Sequence, residues 1–195
     1  MSFSLLDFFK TVATPDRKQI ASGSFIFQSG DPVLFSYGIA AGTIRMVRYN
    51  ETGREIVIYR AGAGETFAEA ALFCESFHCA VVAETDCELL LFDKGLILAA
   101  MDNDPHLLRQ YSMLLSRQVR DLRAMLEIHA IHSADERVMQ YLRLHVGADG
   151  HYLLDMHLKD LAGQLALAHE TLYRSLKRLE ESGMIERNGR EITVL

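Results

Sequence analysis

Cysteine is scarce: Cys74, Cys79 and Cys87 are the three thiols in 195 residues. Three cysteines do not build a disulfide scaffold, and a reducing, cytoplasmic setting is the simplest expectation. Long apolar runs are missing too. The longest, Leu89 to Met101, is broken by Asp93 and Lys94 and falls far short of the ~20 residues of a spanning helix, so no membrane partner is expected. The opening MSFSLLDFFKTVATPDRKQI has no basic segment leading into a long apolar core, and no secretory signal is expected. Positive charge is also in short supply, with 20 Lys and Arg against 26 Asp and Glu and a net charge of −6. Nucleic-acid binders usually carry a basic excess, so any DNA contact here must rest on a local patch. Enzyme signatures are absent: there is no phosphate loop, nucleophile elbow, His-Glu-x-x-His or pair of carboxylates with a cleft signature. His129, His132, His145, His151 and His157 show no metalloenzyme spacing, so neither an enzyme nor a metal site is read from them.

What is present is ordinary globular material, 49% hydrophobic and 24% charged, enough for one large domain or two small ones. Two textures divide it. Residues 20–92 hold short β-type runs, Phe25-Ile26-Phe27, Thr43 to Tyr49 and Glu55 to Tyr59, broken by turn residues such as Ser29-Gly30-Asp31-Pro32 and Asn50-Glu51-Thr52-Gly53. Such spacing predicts an all-β barrel or sandwich. From residue 104 the period becomes helical. Asp104-Pro105 reads as an N-cap followed by proline at the first helical position. Leu108, Tyr111, Leu115, Val119, Leu122, Leu126 and His129 then recur at steps of three and four. A helix of ~25 residues spans ~37 Å, and its narrow apolar seam with charged flanks predicts pairing with a second copy. One long amphipathic core helix is the alternative. A break near Ser133-Ala134-Asp135, a short helix from Glu136 to His145 and the loop Gly147-Ala148-Asp149-Gly150 follow. The expected parts are thus 1–103, 104–132 and 133–195.

The C-terminal stretch is the most informative. Leu158, Leu161, Ala162 and Leu165 mark one face of a short helix. Ala166-Leu167-Ala168 separates it from a second, whose buried face is Leu172, Leu176 and Leu179. Two short helices with so short a joint predict a helix-turn-helix. The second helix exposes His169, Glu170, Tyr173, Arg174, Lys177 and Arg178. Its first turn suits base edges, where arginine pairs with guanine and glutamate accepts from cytosine, whereas Lys177 and Arg178 suit phosphates. Gly183 ends the helix. Met184 to Arg187 and Glu191 to Val194 flank Asn188-Gly189, a strong hairpin signal, and predict a wing whose Arg187 and Arg190 reach backbone phosphates. Between His169 and Arg190 there are only five basic residues against Glu170, Glu180, Glu181 and Glu186. A plain helical subdomain with a wet charged face fits that periodicity as well.

The segment LAGQLALAHETLYRSLKRLEESGMIERNGREITV resembles the winged helix-turn-helix of the catabolite-activator/FNR (Crp-Fnr) family of bacterial transcription regulators. The family's R-E-T-x-x-R type signature reads here His169-Glu170-Thr171-Leu172-Tyr173-Arg174. GSFIFQSGDP, GTIRMV, TGREIVI and GETFAEAALF resemble its N-terminal cyclic-nucleotide-binding-type β-roll, and the helix from Pro105 its dimerisation helix. The resemblance implies an α+β chain of β-roll (jelly roll), long helix and winged helix-turn-helix. It implies a homodimer on double-stranded DNA with a palindromic operator, and contact with RNA polymerase if the protein activates. It further implies that Glu170 and Arg174 read bases and that Thr171 holds a phosphate. Three departures stand out: His169 replaces arginine, Tyr173 stands where serine or glycine is usual, and Ala166 replaces the turn glycine.

In nucleotide-binding members a Gly-Glu pair and a later Arg-Ser or Arg-Thr pair hold the cyclic phosphate and ribose. Here the first reads Ala68-Glu69 and the second falls in Phe77-His78-Cys79, with no Arg or Lys between Arg60 and Lys94. A buried phosphate without a cation is poorly compensated, so cyclic AMP is not expected as a tight ligand. Glu69, His78 and Cys79 are the candidate effector-pocket residues. Cys74, His78 and Cys79 as haem or metal ligands, a Cys74/Cys79 thiol switch, a merely structural loop and a roll without any ligand all stay open. So does a protein that keeps the fold, as a ligand sensor or scaffold, without specific DNA binding.

Overall fold

The computed structural model describes residues 3–147, 149–154 and 156–195; of the predicted loop 147–150, Ala148 lies outside them. The chain divides into two compact units, Met1–Arg117 and Gln118–Leu195.

The N-terminal unit opens with α1 (Leu5–Val12), started by a capping box in which Ser4 and Asp7 satisfy each other's backbone N–H. The strands β1 (Asp16–Ile20), β2 (Phe25–Phe27), β3 (Phe35–Ala41), β4 (Thr43–Tyr49), β5 (Glu55–Gly62), β6 (Thr66–Phe67), β7 (Ala80–Ala83) and β8 (Cys87–Asp93) follow. They form two antiparallel four-stranded sheets, ordered β1-β8-β3-β6 and β2-β7-β4-β5. Ile39, Phe67 and Leu89 from one sheet and Ile44, Val81 and Ala83 from the other share one core. Aromatic rings fill its interior: Phe27 and Phe77 stack at 3.6 Å between centroids, and Tyr37 and Phe67 at 4.9 Å.

The interruption of the longest apolar run is a boundary between elements. Asp93 ends β8, and its Oδ1 accepts from Leu96 N at 2.9 Å, which starts α2 (Lys94–Asn103). Next comes α3 (Pro105–Ala130), 26 residues long and opened by Pro105 as expected. Tyr111 and Leu114 belong to the core that α1 and α2 form with Leu90 and Phe92.

In the C-terminal unit, α4 (Ala134–His145) begins two residues earlier than the sequence predicts, capped by Ser133. After β9 (His151–Leu153), α5 (Leu158–Gln164) and α6 (His169–Glu181), the hairpin β10 (Ile185–Asn188) and β11 (Glu191–Val194) completes the chain. The sheet order is β10-β11-β9, so β9, which the sequence reading left out, is the third strand of the wing sheet. One core joins Val138 and Leu142 of α4, Leu161 of α5, Leu172, Leu176 and Leu179 of α6, and Ile185 and Ile192 of the wing.

Candidate nucleic-acid interface

The turns on either side of α6 use two copies of one backbone device. At the end of α6, Met184 N donates to Leu179 O and Gly183 N to Glu180 O, both at 3.0 Å, with Gly183 at φ +70°. This is the Schellman closure, which needs a left-handed residue just beyond the cap. At the end of α5 the same pair of bonds runs from Leu167 N to Ala162 O and from Ala166 N to Gly163 O, at 2.9 and 3.1 Å. The left-handed residue there is Ala166, at φ +51°. Arg137 of α4 holds the joint from behind. Its guanidinium donates to Ile131 O at 3.0 and 2.6 Å and to Leu165 O at 3.0 Å, tying the end of α3 to the turn. Sequence reasoning missed Arg137, because nothing in a lone arginine on an amphipathic helix announces carbonyl partners at Ile131 and Leu165.

With Leu172, Ser175, Leu176 and Leu179 turned inward, α6 exposes His169, Glu170, Tyr173, Arg174, Lys177 and Arg178, while Thr171 is half-buried. They share one helix face, but their availability differs. Lys177 has only an exposed partner four residues on, Glu181 at 3.6 Å, a weak tether. Arg178, expected at a phosphate, is engaged within the chain: it forks onto Asp135 of α4 at 2.8 and 2.6 Å and onto Ser175 Oγ at 3.2 Å. That hydrogen bond holds the Asp135 carboxyl below its usual value and raises the guanidinium's. Arg178 therefore serves the packing of α4 on α6.

The wing differs from expectation by one residue. Asn188 pairs with Glu191, so the two-residue turn is Gly189-Arg190, with Gly189 at φ +61°, in place of Asn188-Gly189. A lone positive φ at the first central position is the II′ pattern and asks for glycine there. Arg190 sits exposed in the turn. Arg187 stands opposite buried Ile192, and residues directly opposite share a sheet face. Its half-buried side chain therefore lies on the inner face.

Along α3, Leu108, Val119, Leu122 and Leu126 are 44, 45, 64 and 68% exposed. These unburied apolar side chains share one stripe of the predicted seam, with Leu115 half-buried beside them. Tyr111 leaves the seam. It is 1% exposed, packed at 5.6 Å against Phe8, and its hydroxyl donates to Glu69 O at 2.7 Å, so it is core of the N-terminal unit. His129 is exposed, and its Nε2 lies 2.6 Å from Gln164 O within its own chain.

In the candidate effector region, Ala68 takes φ +64° and starts the 3₁₀ turn Glu69–Ala71. Glu69 and Cys79 are half-buried and His78 exposed. Among the described residues no three His, Cys, Asp or Glu are grouped to hold a metal ion, so Cys74, His78 and Cys79 do not form a chelating set. Burial pushes the Cys79 thiol up against the opposing charge of Arg48, which works against a reactive thiolate. That cation comes from β4, far away in sequence.

A β-roll of this topology joined in one chain to a winged helix-turn-helix with an open recognition helix defines a DNA-binding transcription regulator with a sensor-type domain. Two family models match, a cyclic nucleotide-binding domain over residues 17–104 and a Crp-like helix-turn-helix domain over 136–195. The transcriptional activator protein anr of Pseudomonas aeruginosa is 23% identical over 185 residues, 91% of this chain and 76% of that protein. The cyclic AMP receptor protein of Thermus thermophilus is 29% identical over 174 residues, 87% and 79% of the two chains. In structure, the catabolite activator protein of Thermus thermophilus matches with a TM-score of 0.52 at 26% identity, over 97% of this chain and 89% of that one. DNR of Pseudomonas aeruginosa matches with a TM-score of 0.54 at 24% identity, over 100% and 88%. The chain belongs to the Crp-Fnr family of transcription regulators. Among the described residues no helix is long and apolar enough to cross a membrane.

Proposed function

We propose that the protein acts as a homodimer that binds a palindromic operator through α6, one copy per half-site, and carries no enzymatic activity. The observation that carries this reading is the open polar face of α6 above its fully buried Leu172–Leu176–Leu179 face. Glu170 and Arg174, with Tyr173 beside them, meet base edges. Thr171, Lys177 and Arg190 serve phosphates. The exposed stripe of α3 supplies the twofold contact, and two copies set their recognition helices one DNA turn (~34 Å) apart. RNA polymerase is a further partner if the regulator activates, and the cytoplasm is its setting. The roll senses something other than cyclic AMP: neither motif segment contributes an arginine, and stacked rings of Phe27, Tyr37, Phe67 and Phe77 occupy its interior.

The test is binding to a selected duplex and to random duplexes over a salt series. Affinity for both should fall steeply as salt rises. Arg174→Ala should relax the preference for the selected sequence, and Lys177→Ala should weaken all duplexes alike. If no duplex is preferred and neither variant changes binding, the chain has kept the fold without specific DNA recognition. An absorption spectrum of freshly purified protein decides the haem reading, since a Soret band would place the protein among haem sensors.

A further inference from the structure

The two sheets of the roll have four edge strands, β1, β6, β2 and β5, and three of them are guarded. β2 and β6 are three and two residues long, and β1 reads Asp-Arg-Lys-Gln-Ile. Very short strands, and charged ones with lysine, are how native sheets keep other chains off an edge. β5 is different. It is eight residues long with neither proline nor lysine, and it leaves Ile56, Val57, Ile58 and Tyr59 exposed in succession. It pairs only with β4, and among the described residues none of residues 56–61 makes a further backbone hydrogen bond. A long apolar edge of this kind is a template for another strand.

The sequence of β5 complements itself when run in the opposite direction. In Glu55-Ile56-Val57-Ile58-Tyr59-Arg60, antiparallel pairing with a second copy sets Glu55 opposite Arg60 and Ile56 opposite Tyr59. Residues directly opposite must also share a sheet face. In a regular strand Glu55 and Arg60 would point to opposite faces, and the match would fail. The bulge in β5 removes the conflict. Glu55, Val57 and Arg60 stand opposite Tyr49, Val47 and Arg45 of β4, whereas Ile56 and Tyr59 stand opposite Arg48 and Met46, with Ile58 the extra residue. Both charges therefore lie on one face, and Ile56 and Tyr59 on the other. Within each chain Glu55 already meets Arg45 at 2.9 Å and Arg60 meets Glu84 at 3.0 Å. Two paired copies thus place Arg45, Glu55, Arg60 and Glu84 in a row of alternating sign at each end, and such a network counts for more than an isolated surface pair.

We infer that β5 is a docking edge for β5 of a second copy, run antiparallel with Glu55 opposite Arg60 and Ile56 opposite Tyr59. The contact is separate from the α3 stripe and does not depend on the DNA-binding reading. A chain with two self-complementary surfaces assembles beyond pairs, so dimers of the kind proposed above join through their rolls.

Sedimentation of the full chain carrying Leu122→Glu, which disables the α3 stripe, isolates this edge. That chain should still pair reversibly at concentrations well above the micromolar range. Adding Ile56→Lys or Tyr59→Glu should weaken the pairing by about tenfold or more, because each side chain is lost from both copies. An equimolar mixture of those two variants should pair again, since the introduced lysine of one faces the introduced glutamate of the other. A synthetic peptide of residues 54–61 in excess should dissolve the pairing of the chain with intact β5, a readout that needs no β5 variant to fold. If the Leu122→Glu chain stays single at every concentration reached, or pairs but ignores both substitutions and the peptide, the assignment falls. If it stays single yet binds the peptide, the edge accepts a foreign strand, and the second copy is overturned as its occupant.

Discussion

At the scale of the residue, Ala166 carries a measurable cost. The two Schellman closures that bracket α6 differ in that one uses Gly183 and the other Ala166. A left-handed conformation costs an ordinary L-residue about 1–2 kcal/mol, from which glycine's larger entropy loss on folding subtracts about 0.5–1 kcal/mol. Ala166→Gly should therefore stabilise the C-terminal unit by roughly 0.5–1 kcal/mol and raise its melting temperature by about 2–8 °C, with DNA affinity unchanged. Ala166→Val, β-branched at a positive φ, should lower it. Equal melting temperatures for alanine and glycine would show that the turn bears no such strain. Asp135 gives a prediction about acid. Its carboxyl is held low by Arg178, so the pair's contribution is fully present above the unfolded aspartate value of about 3.9 and is lost as pH falls through the lower folded value. Asp135→Asn should remove that part of the acid-side slope in unfolding experiments below about pH 4 while leaving the alkaline side untouched.

At the scale of the element, the packing of α4 against the α5–α6 joint depends on Arg137. Replacing it with alanine strips donors from the carbonyls of Ile131 and Leu165 together. Hydrogen bonds to charged groups contribute about 1.5–3 kcal/mol each, so Arg137→Ala should cost about 2–4 kcal/mol in denaturant unfolding and loosen amide protection in α5 first. Lysine cannot fork and should recover only part of the loss. The elements themselves were unequally readable. The helix from Pro105, the buried face of α6 and the strands β2 and β4 follow from period and punctuation, because each has one face that must be covered. The face of α6 was readable for the same reason, whereas the Asp135 partner of Arg178 and the half-buried place of Arg187 were not: arginines look alike until the elements opposite them are in place. The wing turn slipped by one residue because Asn-Gly and Gly-Arg are both sound hairpin centres, and strand pairing decides between them. Glu55 to Tyr59 reads as a half-buried strand, yet Ile56, Val57, Ile58 and Tyr59 are all exposed. β5 lies at the edge of its sheet, and edge position is a property of topology that no local pattern carries.

At the scale of the whole molecule, the stripe on α3 decides whether one chain or two engage an operator. Leu122 and Leu126 are 64 and 68% exposed, and leucines a helical turn apart are a costly thing to leave in water unless another surface covers them. A twofold interface counts each side chain twice. Fully burying a leucine contributes about 1.5–3 kcal/mol, so losing Leu122 from both copies removes roughly 3–6 kcal/mol, which is at least a hundredfold in the dimer dissociation constant. Leu122→Ala should therefore shift sedimentation towards the single chain at micromolar concentration, and Leu122→Glu should do so completely, because two like charges would face one another across the axis. Neither should change the melting of the C-terminal unit, whose core does not contain Leu122. The DNA consequence follows from geometry: single chains reach one half-site at a time, so affinity for the full operator should fall towards that for a half-site while the preferred half-site sequence stays the same. A Leu122→Glu variant that sediments as the parent does, or that still binds the full operator as tightly, would show that the twofold contact lies elsewhere than on α3.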